Sequence, residues 1–125
     1  AFMAIGTLLG EQHSFMHDVE SFFWVLFWIC IHFDGQNERV VKRFERWNYA
    51  DTEELASSKK GVISDEEDFL QIAQKNFTPY YKPFTAMVNR LRREVFPKGE
   101  RWKRPNIDLY GRMKSILIEA QKNHA

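Results

Sequence analysis

The run HDVESFFWVLFWIC at residues 17–30 places two acids ahead of a continuous apolar stretch. Asp18 and Glu20 suit the positive end at which a helix begins, and the residues that follow are apolar on every helical face. A surface helix carries an apolar stripe, whereas a helix that is apolar all round is surrounded by protein or lipid. We therefore expect a central helix that needs neighbours on all sides.

The apolar run is too short to cross a membrane. It extends from Phe22 to Ile31 and polar residues bound it at both ends, whereas a membrane-spanning helix needs ~20 residues. The length of 125 residues fits one domain, and an aromatic content of 15% supplies the large side chains of a sizeable core. We predict a buried core helix and no membrane partner.

The net charge and the cysteine content indicate which partners and which cellular compartment to expect. The net charge is +1, which gives no general case for nucleic acid or an anionic membrane as partner. Cys30 is the only cysteine, and its place in the apolar run predicts a buried, inert thiol. Without a disulfide or a basic signal-peptide start, we expect an intracellular protein, cytoplasmic or nuclear. A start at Ala1 rather than Met suggests a chain that begins inside a longer protein.

No segment shows convincing strand alternation, so the sequence predicts an all-α fold. The first helix begins near Asp18 and ends at Gly35. A second helix is predicted at 37–47, and Asp51 or Thr52 caps a short third one that runs through Leu55 to Lys60 and is closed by Gly61. The apolar face of the second helix is formed by Val40, Val41, Phe44 and Trp47.

Three further features complete the predicted helices. Ser64 and Glu67 read as a capping box, with an apolar face behind it. Thr78-Pro79 marks another helix start, which Pro83 moves a few residues later, and a basic loop at 97–106 precedes a last helix at 107–122. The predicted core-facing residues of these helices are Phe69, Ile72, Ala73, Phe84, Met87, Val88, Leu91, Val95, Leu109, Met113, Ile116, Leu117 and Ala120.

Signatures of catalysis and metal binding are missing from the sequence. His13 and His17 have the spacing of a two-histidine helical site, but no Glu stands where a metalloprotease motif needs it and no third ligand is suitably spaced. Neither a Gly-x-Ser-x-Gly turn nor a glycine-rich phosphate loop is present. We therefore predict no catalytic, cofactor-binding or metal-ligating residue in this chain.

Basic residues gather between positions 90 and 104, with Trp102 among them. One interpretation is phosphate or nucleic-acid contact. The other is a solvated helix face and loop, partly balanced by Glu94 and Glu100, with Trp102 packed on the core; the near-neutral net charge favours it and argues against a nucleic-acid partner. The cluster consists of Arg90, Arg92, Arg93, Lys98, Arg101, Lys103 and Arg104.

From the residues alone, Asp18 reads as a helix cap or a partner of the helix dipole. A family pattern adds to this. The stretch FMAI at residues 2–5, His13, and HDVESFFWVL at residues 17–26 resemble the fungal-type protein kinase family. The resemblance continues in WN at 47–48, Ala56, KK at 59–60 and FTPYY at 77–81, over nearly the whole chain.

The resemblance implies that residues 1–125 are part of a protein kinase-like domain, the helical C-terminal lobe from the end of the activation segment onward. Such a lobe is built round a central hydrophobic helix, and here it would lack the N-lobe and the catalytic loop. Asp18 would be the structural anchor of that loop, accepting its backbone amides rather than acting as the chemical base.

The resemblance also implies an activity for the parent domain: transfer of the ATP γ-phosphate, with Mg, to protein Ser or Thr. Phosphoryl transfer needs a glycine-rich loop, an ATP-anchoring Lys, a catalytic-loop Asp and Asn, and a metal-binding Asp. The chain contains no Gly-x-Gly-x-x-Gly, His-Arg-Asp or Asp-Phe-Gly motif. We therefore expect it to be inactive alone and to bind no cofactor.

Gly6 departs from the family pattern, which has a Glu at this position that pairs with a buried Arg. The missing acid is expected to leave that Arg unpaired, which is costly for a buried charge. A degraded or pseudokinase parent is one explanation.

Three functions stay open. The first is a kinase C-lobe piece whose missing N-terminal part covers the helix surface from Phe22 to Phe33. The second is a non-catalytic helical interaction module, a pseudokinase remnant, that offers this surface to a protein partner or to a second copy. The third is nucleic-acid binding through the basic residues at 90–104. Without its cover, the aromatic surface makes the chain aggregation-prone, dimeric or loosely packed.

Overall fold

The computed structural model describes residues 1–124, with side chains for residues 1–122. Apart from a two-stranded hairpin, the described part is all-α, as predicted. Short 3-10 turns lie at Arg46–Asn48, Lys82–Phe84 and Pro97–Gly99. The helices and strands are α1 (Ile5–Leu8), α2 (Phe15–His32), β1 (Phe33–Asp34), β2 (Asn37–Glu38), α3 (Lys42–Glu45), α4 (Thr52–Ile63), α5 (Glu66–Asn76), α6 (Thr85–Val95) and α7 (Leu109–His124).

Helix α2 begins earlier and ends earlier than predicted. Its N-cap is Ser14, whose backbone N–H donates to His17 Nδ1 at 3.2 Å, so the helix starts at Phe15 and Asp18 lies inside the first turn. At the other end, Phe33 is extended and Gly35 has a φ of 68°. That left-handed conformation makes Gly35 part of a two-residue hairpin turn rather than a helix stop.

The hairpin replaces the first part of the helix predicted at 37–47. Phe33 pairs with Glu38, and Asp34 pairs with Asn37. Val40, predicted to be inward, is 66% exposed, because it lies between β2 and α3, before a helix has begun. The buried residues Phe44 and Trp47 follow in α3 and its 3-10 extension, so these two core predictions are confirmed.

Capping side chains set the starts of α4 and α5. Asp51 accepts the Glu54 N–H at 2.8 Å, as predicted. Helix α4 then continues through Gly61 to Ile63, because Gly61 is exposed and has no positive φ that would end the helix. The capping box predicted from Ser64 is wrong by one position: Asp65 is the N-cap and accepts the Asp68 N–H at 3.0 Å.

The last two helices lie close to their predicted positions. Helix α6 begins at Thr85, just after Pro83, as expected. Thr78 does not start a helix; its N–H donates to the Cys30 carbonyl at 2.9 Å and ties this segment to the end of α2. Helix α7 begins at Leu109 instead of Ile107, which is 83% exposed. The predicted core residues that are buried here are Val88, Leu91, Val95, Leu109, Met113, Ile116 and Ala120.

The core forms on one side of α2. Phe23, Trp24 and Phe27 are each at most 1% exposed, and their rings contact aromatic rings from four other segments. Representative centroid distances are 5.5 Å from Phe23 to Phe96, 5.6 Å from Trp24 to Trp47 and 5.5 Å from Phe27 to Phe44. The rings packed against this side of α2 are Phe44, Trp47, Phe69, Phe77 and Phe96.

A buried carboxylate fastens α1 to this side of α2. Glu20 is 6% exposed, and its Oε2 accepts the Ile5 N–H at 2.6 Å and the Trp24 Nε1–H at 2.8 Å. Burial raises the pKa of Glu20, and the two donors oppose that shift. The carboxylate thus accepts the Ile5 N–H, which has no partner within α1 because it is at the start of that helix. It also orients the Trp24 ring, the largest in the core.

A buried amine adds α4 to the same junction. Lys59 is 0% exposed; its Nζ donates to the Met3 carbonyl and lies 5.0 Å from the ring centroid of Trp24. Burial lowers the pKa of Lys59 to about 7, against the attraction of Glu20. The sequence carried a signal for this burial, since Lys59 shares a helical face with Leu55 and Val62.

Stability is expected to rise with pH because of Lys59. Its pKa is about 7 in the folded chain and 10.5 ordinarily, so between these values the unfolded chain binds more protons. From pH 7 to pH 9 the free energy of unfolding should rise by about 2 kcal/mol relative to Lys59→Met, measured by urea denaturation. Lys60→Met, at an exposed neighbouring position, should follow the wild-type curve. Parallel pH curves for the wild type and Lys59→Met would refute this role.

Candidate functional site

The side of α2 that faces away from the core is the main exposed apolar feature of the helix. Phe22 is 47% exposed, although its neighbour Phe23 is 0% exposed. Val25, Leu26 and Ile29 are half-buried. We call the surface formed by these residues, Phe22, Val25, Leu26 and Ile29, the open face. The helix is apolar all round, as the sequence predicts, but the described residues pack closely against one side only.

An apolar groove extends the open face towards α7. Its walls are Val19 and Phe22 from α2 and Tyr110, Met113 and Leu117 from α7, and it encloses about 290 Å³. The Asp18 and Lys114 side chains of opposite charge also line it. Tyr110 is 67% exposed, so the groove is accessible to another chain. Its chemistry suits apolar side chains presented beside polar or charged groups.

Asp18 lies at the N-terminal end of the open face. Its side chain is 70% exposed, and its Oδ1 lies 3.4 Å from His13 Nε2. The position in the first turn of α2 fits the helix dipole, whereas the capping role belongs to Ser14. An exposed carboxylate can accept backbone amides from another segment, so the role as an anchor of a catalytic loop stays a prediction.

The two histidines that share helical spacing face different acids. His13 lies against Asp18, and His17 Nε2 lies 3.3 Å from Glu11 Oε1. The two imidazole rings are 5.9 Å apart and tilted by 55°. Among the side chains that the structure describes, no three groups are arranged to hold a metal ion.

Cys30 lies inside the core. The residue is 0% exposed, and burial raises the pKa of its thiol to about 12. A thiol that is neither accessible nor ionised is a poor nucleophile. The predicted burial of the thiol is confirmed, and its inertness stays a prediction.

The basic residues at 90–104 do not form one surface. Arg92 is 3% exposed and donates to Asn89 Oδ1 at 2.9 Å and to the Ile63 carbonyl at 3.0 Å, so its place in the predicted cluster is wrong. Arg90 pairs with Glu119 at 2.9 Å. Trp102 packs against the core, as the interpretation of a solvated helix face and loop predicts. Its Nε1–H donates to the Glu94 carbonyl at 2.9 Å. Of the basic residues at 90–104, those that are exposed and have no ion pair in the described structure are Lys98, Lys103 and Arg104.

Sequence reasoning missed Glu20, Lys59 and Glu11 as buried or bridging groups. The sequence pattern predicts Glu20 only as a helix-start acid beside Asp18. Its position four residues before Trp24 is the one local sign of their hydrogen bond. Glu11 gave no signal, because its partner Arg101 is 90 residues away.

Comparison with known proteins gives one result. Residues 1–30 match the family model described as fungal protein kinase. The match covers about a quarter of the chain: the segment with α1, and α2 as far as Cys30. No curated protein and no solved structure matches the chain. In the described part of the chain, no helix combines the length and apolar content needed to cross a membrane.

Proposed function

We propose that this chain is the C-terminal-lobe portion of a fungal-type protein kinase domain, with α2 as the central helix of that lobe. The parent domain transfers the ATP γ-phosphate, with Mg, to protein Ser or Thr, and residues 1–125 alone are inactive. One observation carries the proposal: the segment that is similar to fungal protein kinases includes a helix that is buried on one side and open on the other. An intracellular location belongs to the same proposal.

The exposure of the open face supports the proposal that another part of the domain covers it. Fully burying a Phe side chain contributes about 1.5–3 kcal/mol, and Phe22 leaves 47% of its surface in water. The half-buried aliphatic residues beside it continue this surface along α2. The preceding part of a kinase domain is the natural cover under this proposal, because the resemblance places it before Phe2.

Asp18 supports the same arrangement. Its exposed carboxylate lies at the edge of the open face, and its positions in the structure and in the sequence motif agree with an anchor for a loop that packs there. Hydrogen bonds from backbone amides to a carboxylate are strong because the acceptor is charged. Asp18 would thus position the catalytic loop without touching the phosphate.

The chemistry itself would come from outside this chain. The missing part would supply the residues that hold ATP and Mg and the Asp that receives the substrate proton. The contribution of residues 1–125 is a rigid support, which matters because a displacement of about 1 Å in a catalytic group can cost 100-fold in rate.

A non-catalytic interaction module is the second candidate. The groove between α2 and α7, with Asp18 and Lys114 beside apolar walls, favours it. In that case the open face binds a protein partner or a second copy of this chain.

Mapping the 5′ end of the transcript separates the two candidates. The kinase proposal predicts in-frame codons before Ala1 that encode His-Arg-Asp-like and Asp-Phe-Gly-like motifs. An initiation codon directly before Ala1, preceded by an in-frame stop codon, would overturn it and favour the module.

Phosphotransfer assays test the roles within the proposal. Purified residues 1–125 should give no ATP-dependent incorporation of phosphate into a generic protein substrate. In the protein extended by its upstream part, Asp18→Ala should lower kcat about 100-fold, because the loop loses its anchor. Asp108→Ala, at an exposed position just before α7, is the matched control and should leave kcat unchanged. Incorporation by residues 1–125 alone would contradict the assignment.

Self-association should depend on the open face. Without the Phe22 ring, association should lose about 1 kcal/mol of the free energy gained by burying apolar surface. Phe22→Ser should therefore raise the dissociation constant of self-association about 5-fold. Sedimentation equilibrium at several concentrations measures this constant. Tyr49→Ser is the matched control, since Tyr49 is 81% exposed and lies outside this surface. A wild-type chain that is monomeric at every concentration would contradict this prediction.

A further inference from the structure

A second groove lies between α4 and the segment formed by α3 and its 3-10 extension. It encloses about 350 Å³, a volume comparable to the smallest ligand pockets, which are ~300 Å³. Trp47 and Val62, which are 6% and 2% exposed, belong to its lining and supply apolar surface. None of its lining residues belongs to the open face, since Trp47 packs on the closed side of α2, against Trp24.

One wall of this groove is a single face of α4. Glu54, Ser58 and Gly61 line it, and they are four and three residues apart along the helix, so they share a face. The opposite face of α4 carries Leu55 and Lys59 into the core. The groove wall is therefore the solvent side of a helix whose other side is fixed.

Gly61 is the residue of this wall that the fold itself does not explain. It lies inside α4, two residues before the helix ends, and glycine is a poor helix former. Its φ is not positive, and a Cβ built on it would have no described atom within 4 Å. Neither the backbone nor the packing of the described residues calls for a glycine here. In the wall of a groove, however, a glycine lets a second chain approach the helix backbone closely.

The charges of the groove indicate the chemistry of that second chain, because its lining includes two arginines and one acid. Arg43 lies over the Phe44 ring, 5.0 Å from its centroid, and makes no ion pair with a described residue. Arg46 Nη2 lies 3.2 Å from Glu54 Oε1, in a pair whose side chains are 75% and 49% exposed. Exposed pairs of this kind are weak, and a guanidinium has five N–H donors, so both arginines can donate to carboxylates from outside.

We propose that this groove is a docking site for an acidic peptide segment of another protein. A small apolar side chain of the segment packs on Trp47 beside Gly61, and flanking carboxylates accept hydrogen bonds from Arg43 and Arg46. Trp and Arg are enriched among the residues that dominate the binding energy of protein interfaces, and here they lie together. The proposal does not depend on the kinase assignment, because residues of this chain alone form the groove.

Peptide selection tests the charge of the partner. A phage-displayed library of short random peptides should yield binders to the wild-type chain that are rich in Asp and Glu around an apolar residue. Arg43→Glu should weaken the binding of the best synthetic peptide about 10-fold, because two carboxylates then meet. Lys75→Glu makes the same charge change at an exposed position of α5 and should bind as the wild type does. Fluorescence anisotropy measures each dissociation constant.

Gly61→Ala separates a docking role from a role in the fold. The added methyl group should raise the midpoint of thermal unfolding by about 3 °C, because alanine favours the helix. In the same variant the peptide should bind about 5-fold more weakly, because the methyl group occupies space that the peptide fills. Gly111→Ala is the matched control: in α7 its Cβ likewise meets no described atom within 4 Å, so it should stabilise the chain without loss of affinity.

The position of the bound peptide completes the test. In 1H–15N spectra, the amide signals of Ser58 and Gly61 should shift when the peptide is added, and those of Val25 and Leu26 on the open face should not. Four results would each overturn the proposal: no binders, binders without an excess of acids, equal peptide affinity of Gly61→Ala and Gly111→Ala, or shifts confined to the open face. The kinase assignment is decided separately, by mapping the transcript.

Discussion

A helix that is apolar on every face has to be covered on every face, and α2 is covered closely on one. Phe23 and Phe27 are sealed by rings from α3, α5 and the segments around Phe77 and Phe96. The opposite side, the open face, keeps Phe22 half in water. The segments that carry Phe44, Trp47, Phe69, Phe77 and Phe96 pack on the closed side, where the aromatic side chains of α2 offer most area.

Polar groups decide which side of α2 is closed. Glu20 can be buried only beside donors, and it finds them in the Ile5 N–H and the Trp24 indole. Lys59 adds a cation to the same junction and brings α4 with it. Glu11 fixes the outer edge through Arg101. With α1 and α4 held by these contacts on one side, the side around Phe22 stays open.

The sequence was informative where the signal is local. The structure confirms the helix predicted from the apolar run, the Asp51 cap, and the start of α6 after Pro83. Each of these predictions depends on neighbouring residues only. The hairpin was missed because the left-handed conformation of Gly35 reads equally as a helix end. The contacts of Lys59 with Met3 and of Glu11 with Arg101 join residues 56 and 90 apart, which spacing along the chain does not reveal. The structure places Asp18 in the first turn of α2 with an exposed side chain, and its role as the anchor of a catalytic loop stays a prediction.

Hydroxyl-radical footprinting of α2 tests the central claim most directly. In the isolated chain at low concentration, Phe22 should be oxidised at a rate comparable to that of the exposed Tyr49, while Phe23 and Phe27 stay protected. In the protein extended by an upstream kinase part, or in a complex with a partner that covers the open face, Phe22 should become protected as well. Equal protection of Phe22 and Phe23 in the isolated monomer would contradict a helix that is closed on one side and open on the other.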